Sequence, residues 1–180
     1  QVLDGSTPYA CLCLVPTREL AIQVTREMRE LGAHTNLKVL AVYGGQAIST
    51  QAEKLKKKPH IIVGTPGRVM DMHQRKLLPY DRIQLAMLDE VDRMLDIGFR
   101  EDIRKILGGI RQKHQTIFVS ATISDEIMRL ARKYMNDPVD LSLSEAKSLT
   151  VAQVDQECVS VQNWDKLKML HHVLKIEKPD

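Results

Sequence analysis

At its midpoint the chain reads Leu85-Ala86-Met87-Leu88-Asp89-Glu90-Val91-Asp92, an apolar half followed by three carboxylates within four positions. The apolar half is typical of a strand in a parallel sheet that helices cover on both faces. Burial does not explain the acidic half, because an unpaired carboxylate is costly to remove from water. Open α/β sheets hold their ligands at the carboxyl ends of their strands, so we predict that the three acids belong to a ligand site.

Strand-like and helix-like segments alternate on both sides of this stretch. Apolar runs predict strands over residues 9–15, 37–42, 60–63, 83–88 and 116–119. Between them, apolar residues spaced three and four apart predict amphipathic helices. Thr17 and Ser124 are suited to cap two of these helices, and Gly32 to end the first. The order predicts an α/β fold with a doubly wound, mainly parallel sheet and helices on both faces.

The last residues of the chain do not continue the alternating elements, and this change of pattern predicts a second unit. Residues 1–143 carry the alternating elements, and the polar residues 144–150 are predicted to form a linker. Residues 151–180 are too few for a domain, so we expect them to begin a second one. The first residue is Gln1, which indicates a piece of a longer protein.

Composition limits the class of protein and of partner. The 180 residues are 43% hydrophobic and 27% charged, as in globular rather than disordered or fibrous proteins. A net charge of +3 permits a nucleic-acid partner without requiring one. No apolar run approaches the length of about 18 residues that a membrane helix needs, so we expect no membrane contact. The three cysteines lack metal-ligand or disulfide spacing, which favours a reducing, intracellular compartment. Within the cell, we expect the cytoplasm rather than the nucleus.

Four further polar segments follow predicted strands and precede or begin helices. They are Pro16-Thr17-Arg18-Glu19-Leu20-Ala21, Gly44-Gly45-Gln46, Thr65-Pro66-Gly67-Arg68 and Ser120-Ala121-Thr122. Glycine lets a backbone approach a ligand, and the amides that begin a helix attract anions. Each segment alone has an ordinary alternative as a turn or helix cap, and the acids alone have one as a solvated strand end.

Together, these segments and the acidic stretch occur in the order and spacing of the DEAD-box RNA helicases. The chain resembles the first RecA-like domain of that family, most of all its eukaryotic initiation-factor-4A type. The resemblance implies an ATP-dependent RNA helicase that uses ATP and Mg²⁺ and holds RNA by its sugar-phosphate backbone, with little sequence preference. The low aromatic content of 4% agrees with this, because proteins that stack bases do so on aromatic side chains.

The resemblance also implies a role for each matching residue. Asp89 would hold Mg²⁺ through water, and Glu90 would activate the water that attacks ATP. Asp92, Ser120 and Thr122 would couple hydrolysis to strand separation. The contacts to the RNA backbone would come from Thr17, Arg18, Gly45, Gln46, Thr65, Gly67 and Arg68.

The sequence departs from the family pattern in two places. Val91 stands where the family has alanine, and strand-like alternation would point it away from the acids, so we expect the chemistry to be retained. No Gly-Lys dipeptide occurs, so the sequence contains no G-x-x-x-x-G-K-[ST] phosphate loop. The resemblance places that loop before Tyr9, and we expect these 180 residues alone to be inactive.

Two alternatives stay open at the level of sequence. One is a non-catalytic RNA-binding or scaffold module that keeps the helicase fold without the ATP-driven activity. The other is a DNA-directed helicase of the same superfamily, which the acidic stretch and the Pro-Thr-Arg-Glu-Leu-Ala segment disfavour.

Overall fold

Five short strands form one sheet in a computed structural model that describes residues 7–141 and 158–177. The strands are β1 (Cys11–Leu14), β2 (Val39–Val42), β3 (Ile61–Gly64), β4 (Leu85–Leu88) and β5 (Gln115–Phe118). Their spatial order is β2-β3-β1-β4-β5, and every neighbouring pair is parallel. All five strands therefore end at the same side of the sheet.

Helices connect the strands, as the alternating pattern predicts. They are α1 (Arg18–Leu31), α2 (Ile48–Leu55), α3 (Pro66–Gln74), α4 (Val91–Ile97), α5 (Arg100–Gly109), α6 (Asp125–Tyr134) and α7 (Lys166–Glu177). The Thr17 and Ser124 hydroxyl oxygens cap α1 and α6, and Gly32 ends α1, so these three predictions are confirmed. No helix among residues 7–141 and 158–177 has the length and apolarity needed to cross a bilayer.

The five strands predicted between residues 9 and 119 are all present, with ends that move by at most two residues. At the start of β1 the reason is a backbone turn: Tyr9 has a φ of 60°, which is incompatible with a strand. The helix α4 was not predicted, because its first residues belong to the acidic stretch that we assigned to a strand end.

Alternation along β1 divides its side chains between two cores. Leu12 and Leu14 lie in the larger core, with apolar residues of α3, α5 and α6. Cys11 and Cys13 share the other face, which α1 covers, as the alternation predicts. Burial raises the pKa of both thiols to about 12, so they stay protonated and act as small apolar side chains.

Strand β2 lies at one end of the described sheet, where two side chains bond to its backbone. The Arg29 guanidinium, from α1, donates two hydrogen bonds of 2.8 and 3.2 Å to the Val39 carbonyl oxygen. The Gln51 amide, from α2, donates to the Tyr43 carbonyl oxygen at 2.8 Å and accepts from the Tyr43 N–H at 3.2 Å. The start and the end of this strand are therefore both held by side chains.

The chain divides into two compact units, residues 1–139 and 140–180. In the second unit, a short 3₁₀ turn over Asn163–Asp165 leads into α7. The predicted linker, residues 144–150, lies outside the described residues. The limits of 1–143, 144–150 and 151–180 therefore stay a prediction.

Candidate functional site

All of the predicted site residues lie at the side of the sheet where the strands end. Because the strands are parallel, the segments after β1, β2, β3, β4 and β5 emerge together. Backbone hydrogen bonds continue past the strand ends, from Thr65 N–H to the Val42 carbonyl and from Asp89 N–H to the Leu14 carbonyl. The sheet therefore fixes the start of each loop.

The acidic segment is held between two other strands. Asp89 N–H donates to the Leu14 carbonyl oxygen at 2.9 Å, which fixes the segment to β1. Val91 N–H donates to the Val119 carbonyl oxygen at 3.1 Å, which fixes it to the end of β5. The acids are thus presented by a backbone that has little freedom to shift.

The expectation that Val91 continues a strand is wrong. Val91 is the first residue of α4, so the alternation of a strand does not apply to it. Its side chain is fully buried in the larger core, where a valine fills space away from the acids. Packing in the larger core, not strand alternation, keeps the Val91 side chain away from the acids.

Glu90 adopts an unusual backbone conformation just before α4. Its φ of 52° and ψ of 53° lie in the left-handed region, which costs a residue other than glycine about 1–2 kcal/mol. Its carboxylate accepts a hydrogen bond from Arg93 Nη1 at 3.0 Å, and the two side chains are 39% and 57% exposed. The left-handed conformation of Glu90 lets β4 pass directly into α4 and leaves the Glu90 carboxylate accessible to solvent.

Asp89 is a partly buried acid beside a second carboxylate, a setting in which a cation would stabilise the ionised form. Burial is the main cause that raises the pKa of Asp89, and the neighbouring Glu90 carboxylate raises it further. A hydrogen bond of 3.0 Å from Glu90 N–H to Asp89 Oδ1 opposes this rise. A divalent cation would favour the ionised form, so the carboxylate fits Mg²⁺, which proteins often hold by one or two carboxylates plus waters and phosphates. Among the described residues no group of three or more candidate ligands is present, so Asp89 would supply one ligand rather than a complete cage.

Asp92 joins the end of β4 to the segment after β5. Its Oδ2 accepts hydrogen bonds from the Thr122 hydroxyl at 2.9 Å and from Thr122 N–H at 3.0 Å. Its own N–H donates to Ser120 Oγ at 3.3 Å, and the Ser120 hydroxyl donates to the Thr122 carbonyl oxygen at 2.7 Å. The three residues therefore form one hydrogen-bonded group, while their coupling role stays a prediction.

Arg18 lies close to both Tyr43 and the glycine loop after β2. Its guanidinium carbon is 5.2 Å from the centre of the Tyr43 ring, within the range of a cation–π contact. Gly45 has a φ of +80°, and a Cβ added there would lie 3.5 Å from Arg18 Nη1. The predicted residues Arg18 and Gly45 are therefore neighbours, although β1 and β2 are separated by β3.

Arg68 connects two of the loops rather than pointing freely into solvent. Its Nη1 donates to the Gln46 carbonyl oxygen at 2.9 Å, and its side chain is only 14% exposed. The Thr65 side chain makes no capping hydrogen bond to α3. The Thr65 hydroxyl and the first amides of α3, those of Gly67 and Arg68, are therefore the groups of this segment best suited to a phosphate.

Thr17 has a structural role that accounts for its position. Its hydroxyl oxygen accepts a hydrogen bond from Leu20 N–H at 3.2 Å and so caps α1. The hydroxyl proton remains available, and the predicted RNA contact is not tested by this geometry.

Sequence reasoning missed three residues that shape the site, namely Tyr43, Gln51 and Arg93. Gln51 had a signal, because it lies three residues after Ile48 and four before Leu55, on the apolar side of α2. A polar residue in such a stripe needs a buried partner, and here the partner is the Tyr43 backbone. Arg93 lies three residues after Glu90, a spacing at which helix side chains meet.

Comparisons with known proteins agree on one family. A family model described as "DEAD/DEAH box helicase" matches residues 2–130. The chain is 43% identical over 169 residues to the DEAD-box ATP-dependent RNA helicase CshA of Bacillus cereus, covering 94% of this chain and 32% of that protein. It is 41% identical over 175 residues to the ATP-dependent RNA helicase CshA of Listeria monocytogenes, covering 97% of this chain and 34% of that protein. The chain thus spans about a third of the length of these curated relatives.

Solved structures give the same result for the fold. A hypothetical ATP-dependent RNA helicase from Sulfolobus tokodaii matches with a TM-score of 0.68 and 32% identity, over 71% of this chain and 38% of that one. The yeast DEAD-box splicing factor Prp28 matches with a TM-score of 0.67 and 29% identity, over 71% of this chain and 30% of that one.

Proposed function

Because the chain belongs to the DEAD/DEAH box helicase family, we propose that it is part of an ATP-dependent RNA helicase, in which it supplies most of the first RecA-like domain. One observation carries the proposal: an acidic pair suited to ATP hydrolysis and three loops suited to phosphates share one side of a single parallel sheet. An enzyme that couples ATP hydrolysis to RNA binding needs a mechanical connection between the two sites, and the shared sheet would supply it.

The hydrolytic part of the proposal assigns different roles to Asp89 and Glu90. Asp89 would hold Mg²⁺ through water, and the bound ion would neutralise charge on the phosphates of ATP. Glu90 would orient the attacking water and accept its proton, a contribution typically worth about 10²–10⁴ in rate. The exposed position of the Glu90 carboxylate and its Arg93 contact support this division, since the base must reach a water at the surface of the domain.

The coupling part rests on the hydrogen-bonded contact between Asp92 and Thr122. A shift of the acidic segment during hydrolysis would be passed to the segment after β5 through these two bonds of 2.9 and 3.0 Å. Ser120 supports the same segment through its bond to the Thr122 carbonyl oxygen.

The RNA-binding part uses charge and backbone amides rather than base readout. Arg18 supplies an exposed guanidinium, while Thr65 and the first amides of α3 supply hydrogen-bond donors. Such contacts carry little sequence information, so the RNA partner would be bound with little sequence preference. The free buried thiols of Cys11 and Cys13 support an intracellular location within the same proposal.

The substitution Glu90→Gln in the full-length protein tests the hydrolytic role. It should preserve ATP and RNA binding and reduce RNA-stimulated phosphate release by about 10²-fold or more, because an amide cannot accept the proton. A matched control is Glu101→Gln, since Glu101 also pairs with an arginine three residues later, Arg104, at 3.0 Å. Substantial turnover by Glu90→Gln, or an equal loss in the control, would contradict the assignment.

A further inference from the structure

We propose that Gln51 is a positioning residue for RNA binding, which fixes Tyr43 and, through the Tyr43 ring, the guanidinium of Arg18. The inference rests on the proposed function, since it takes Arg18 as a contact to the RNA backbone. It adds a residue to that site that lies in the protein interior and cannot touch RNA itself.

The first step is the hydrogen bonding of the Gln51 side chain. Gln51 is fully buried, and a buried amide is stable only when its polar atoms are bonded. It donates to the Tyr43 carbonyl oxygen at 2.8 Å and accepts from the Tyr43 N–H at 3.2 Å. A neighbouring strand would offer the same donor and acceptor, so Gln51 extends the order of the sheet by one residue beyond β2.

The second step leads from Tyr43 to Arg18. The Tyr43 ring lies 5.2 Å from the Arg18 guanidinium carbon, and its direction depends on the backbone that Gln51 holds. Arg18 is exposed at the first position of α1, where a long side chain has many rotamers. The ring therefore selects guanidinium positions that face the glycine loop.

The third step concerns the loop itself, which is held at both ends. Gln51 fixes Tyr43 before the glycine pair, and Arg68 fixes the carbonyl oxygen of Gln46 after it, at 2.9 Å. Gly45, between them, approaches Arg18 closely enough that an added Cβ would contact it. A loop and an arginine that are ordered before binding lose less conformational entropy when RNA arrives, which raises affinity without a new contact.

The substitution Gln51→Met tests this role, because it keeps the length of the side chain and removes both hydrogen bonds. Gln112→Met is the matched control, since the Gln112 amide also bonds backbone groups, the carbonyl oxygens of Tyr80 and Ile83 at 2.6 and 2.7 Å, beside the start of β4. Affinity of the full-length protein for a fluorescein-labelled uridine decamer, measured by anisotropy, should fall about tenfold for Gln51→Met and stay unchanged for Gln112→Met. Unchanged affinity for Gln51→Met, or an equal loss in the control, would overturn the proposal.

A double-mutant cycle separates positioning from a general loss of stability. If Gln51 acts through Arg18, Gln51→Met should lower affinity little further once Arg18→Ala is present. Additive losses would overturn the proposal. If Gln51→Met does not fold, Tyr43→Leu takes its place in the cycle, because it removes the ring and leaves the Gln51 bonds to the backbone.

A second measurement distinguishes failure of this inference from failure of the proposed function. Amide hydrogen exchange on the 180-residue chain should show faster exchange at Tyr43 N–H in Gln51→Met and no change there in Gln112→Met. Unchanged exchange at Tyr43 would overturn the positioning role, whatever the RNA result. Absence of RNA binding by the unsubstituted full-length protein would overturn the proposed function, while the exchange data would still decide whether Gln51 holds Tyr43.

Discussion

Asp89 and Asp92 are three positions apart, yet the structure shifts the pKa values of their carboxyl groups in opposite directions. Burial raises the pKa of Asp89, with the Glu90 carboxylate adding to the effect. Burial also acts on Asp92, but hydrogen bonds from the Thr122 hydroxyl and two backbone N–H groups, together with the nearby Ser120 hydroxyl, bring its pKa below the ordinary value. Hydrogen bonds thus hold Asp92 in its ionised form, whereas Asp89 has the single opposing bond from Glu90 N–H.

The lowered pKa of Asp92 predicts a dependence of stability on pH. The unfolded chain binds the proton near the ordinary pKa of 3.8, whereas the folded protein binds it only at lower pH. The stabilisation is therefore complete above about pH 5 and is lost as the pH falls through the native pKa. The free energy of unfolding should fall more steeply between about pH 5 and pH 3 in the unsubstituted 180-residue chain than in Asp92→Asn, as measured by urea denaturation. The exposed Asp81→Asn serves as control, and a curve for Asp92→Asn as steep as that of the control would contradict the assignment.

At the scale of elements, the turn from β3 into α3 depends on a residue without a side chain. A Cβ on Gly64 would lie 2.6 Å from the Val42 carbonyl oxygen, in the adjacent strand, and 2.6 Å from Val69 Cγ2 in α3. The contact with backbone cannot be relieved by a rotamer change. Gly64 therefore lets α3 pack closely against β3 and sets where Thr65 begins the loop.

Gly64→Ala should accordingly destabilise the fold by about 1–3 kcal/mol, the usual range for overpacking in a core. Gly108→Ala is the matched control, because Gly108 lies within α5 and an added Cβ there would meet nothing within 4 Å. The control should be neutral or more stable by about 0.5–1 kcal/mol, since alanine favours a helix. Thermal unfolding of the two variants checks the difference, and equal midpoints would contradict the packing argument.

The same scale shows what a sequence can and cannot predict here. The caps of α1 and α6 were predictable, because Thr17 and Ser124 bond to amides three residues away. The start of α4 was not, because the left-handed turn at Glu90 has no glycine to signal it and Val91 suits a strand or a helix equally. The contact between Arg18 and Tyr43 could not be predicted either, because it depends on β3 lying between β1 and β2. The local sequence pattern does not specify this strand order.

At the scale of the whole molecule, the proposed ATPase activity would depend on a group that this sequence does not contain. The 180 residues include no Gly-Lys dipeptide, so they offer no phosphate-loop lysine to the phosphates of ATP. The purified 180-residue chain should therefore release phosphate from ATP at background rate, with or without RNA, while the full-length protein turns over under the same conditions. Robust RNA-stimulated release by the chain alone would refute this prediction and the assignment of the missing group.

The side chains that hold β2 also affect how the molecule behaves among copies of itself. The backbone N–H and C=O groups of successive strand residues face opposite neighbouring strands. Those of Val39, Ala41 and Tyr43 face away from β3. Arg29 occupies the Val39 carbonyl oxygen and Gln51 occupies both backbone groups of Tyr43, so of these three residues Ala41 alone keeps both of its backbone groups clear of the side-chain bonds described. An incoming strand needs several successive partners, and Ala41 by itself supplies too few to seed a ladder. Two side chains from separate helices thus protect this edge of the described sheet against aggregation, and Gln51, which holds the Tyr43 backbone, is one of them.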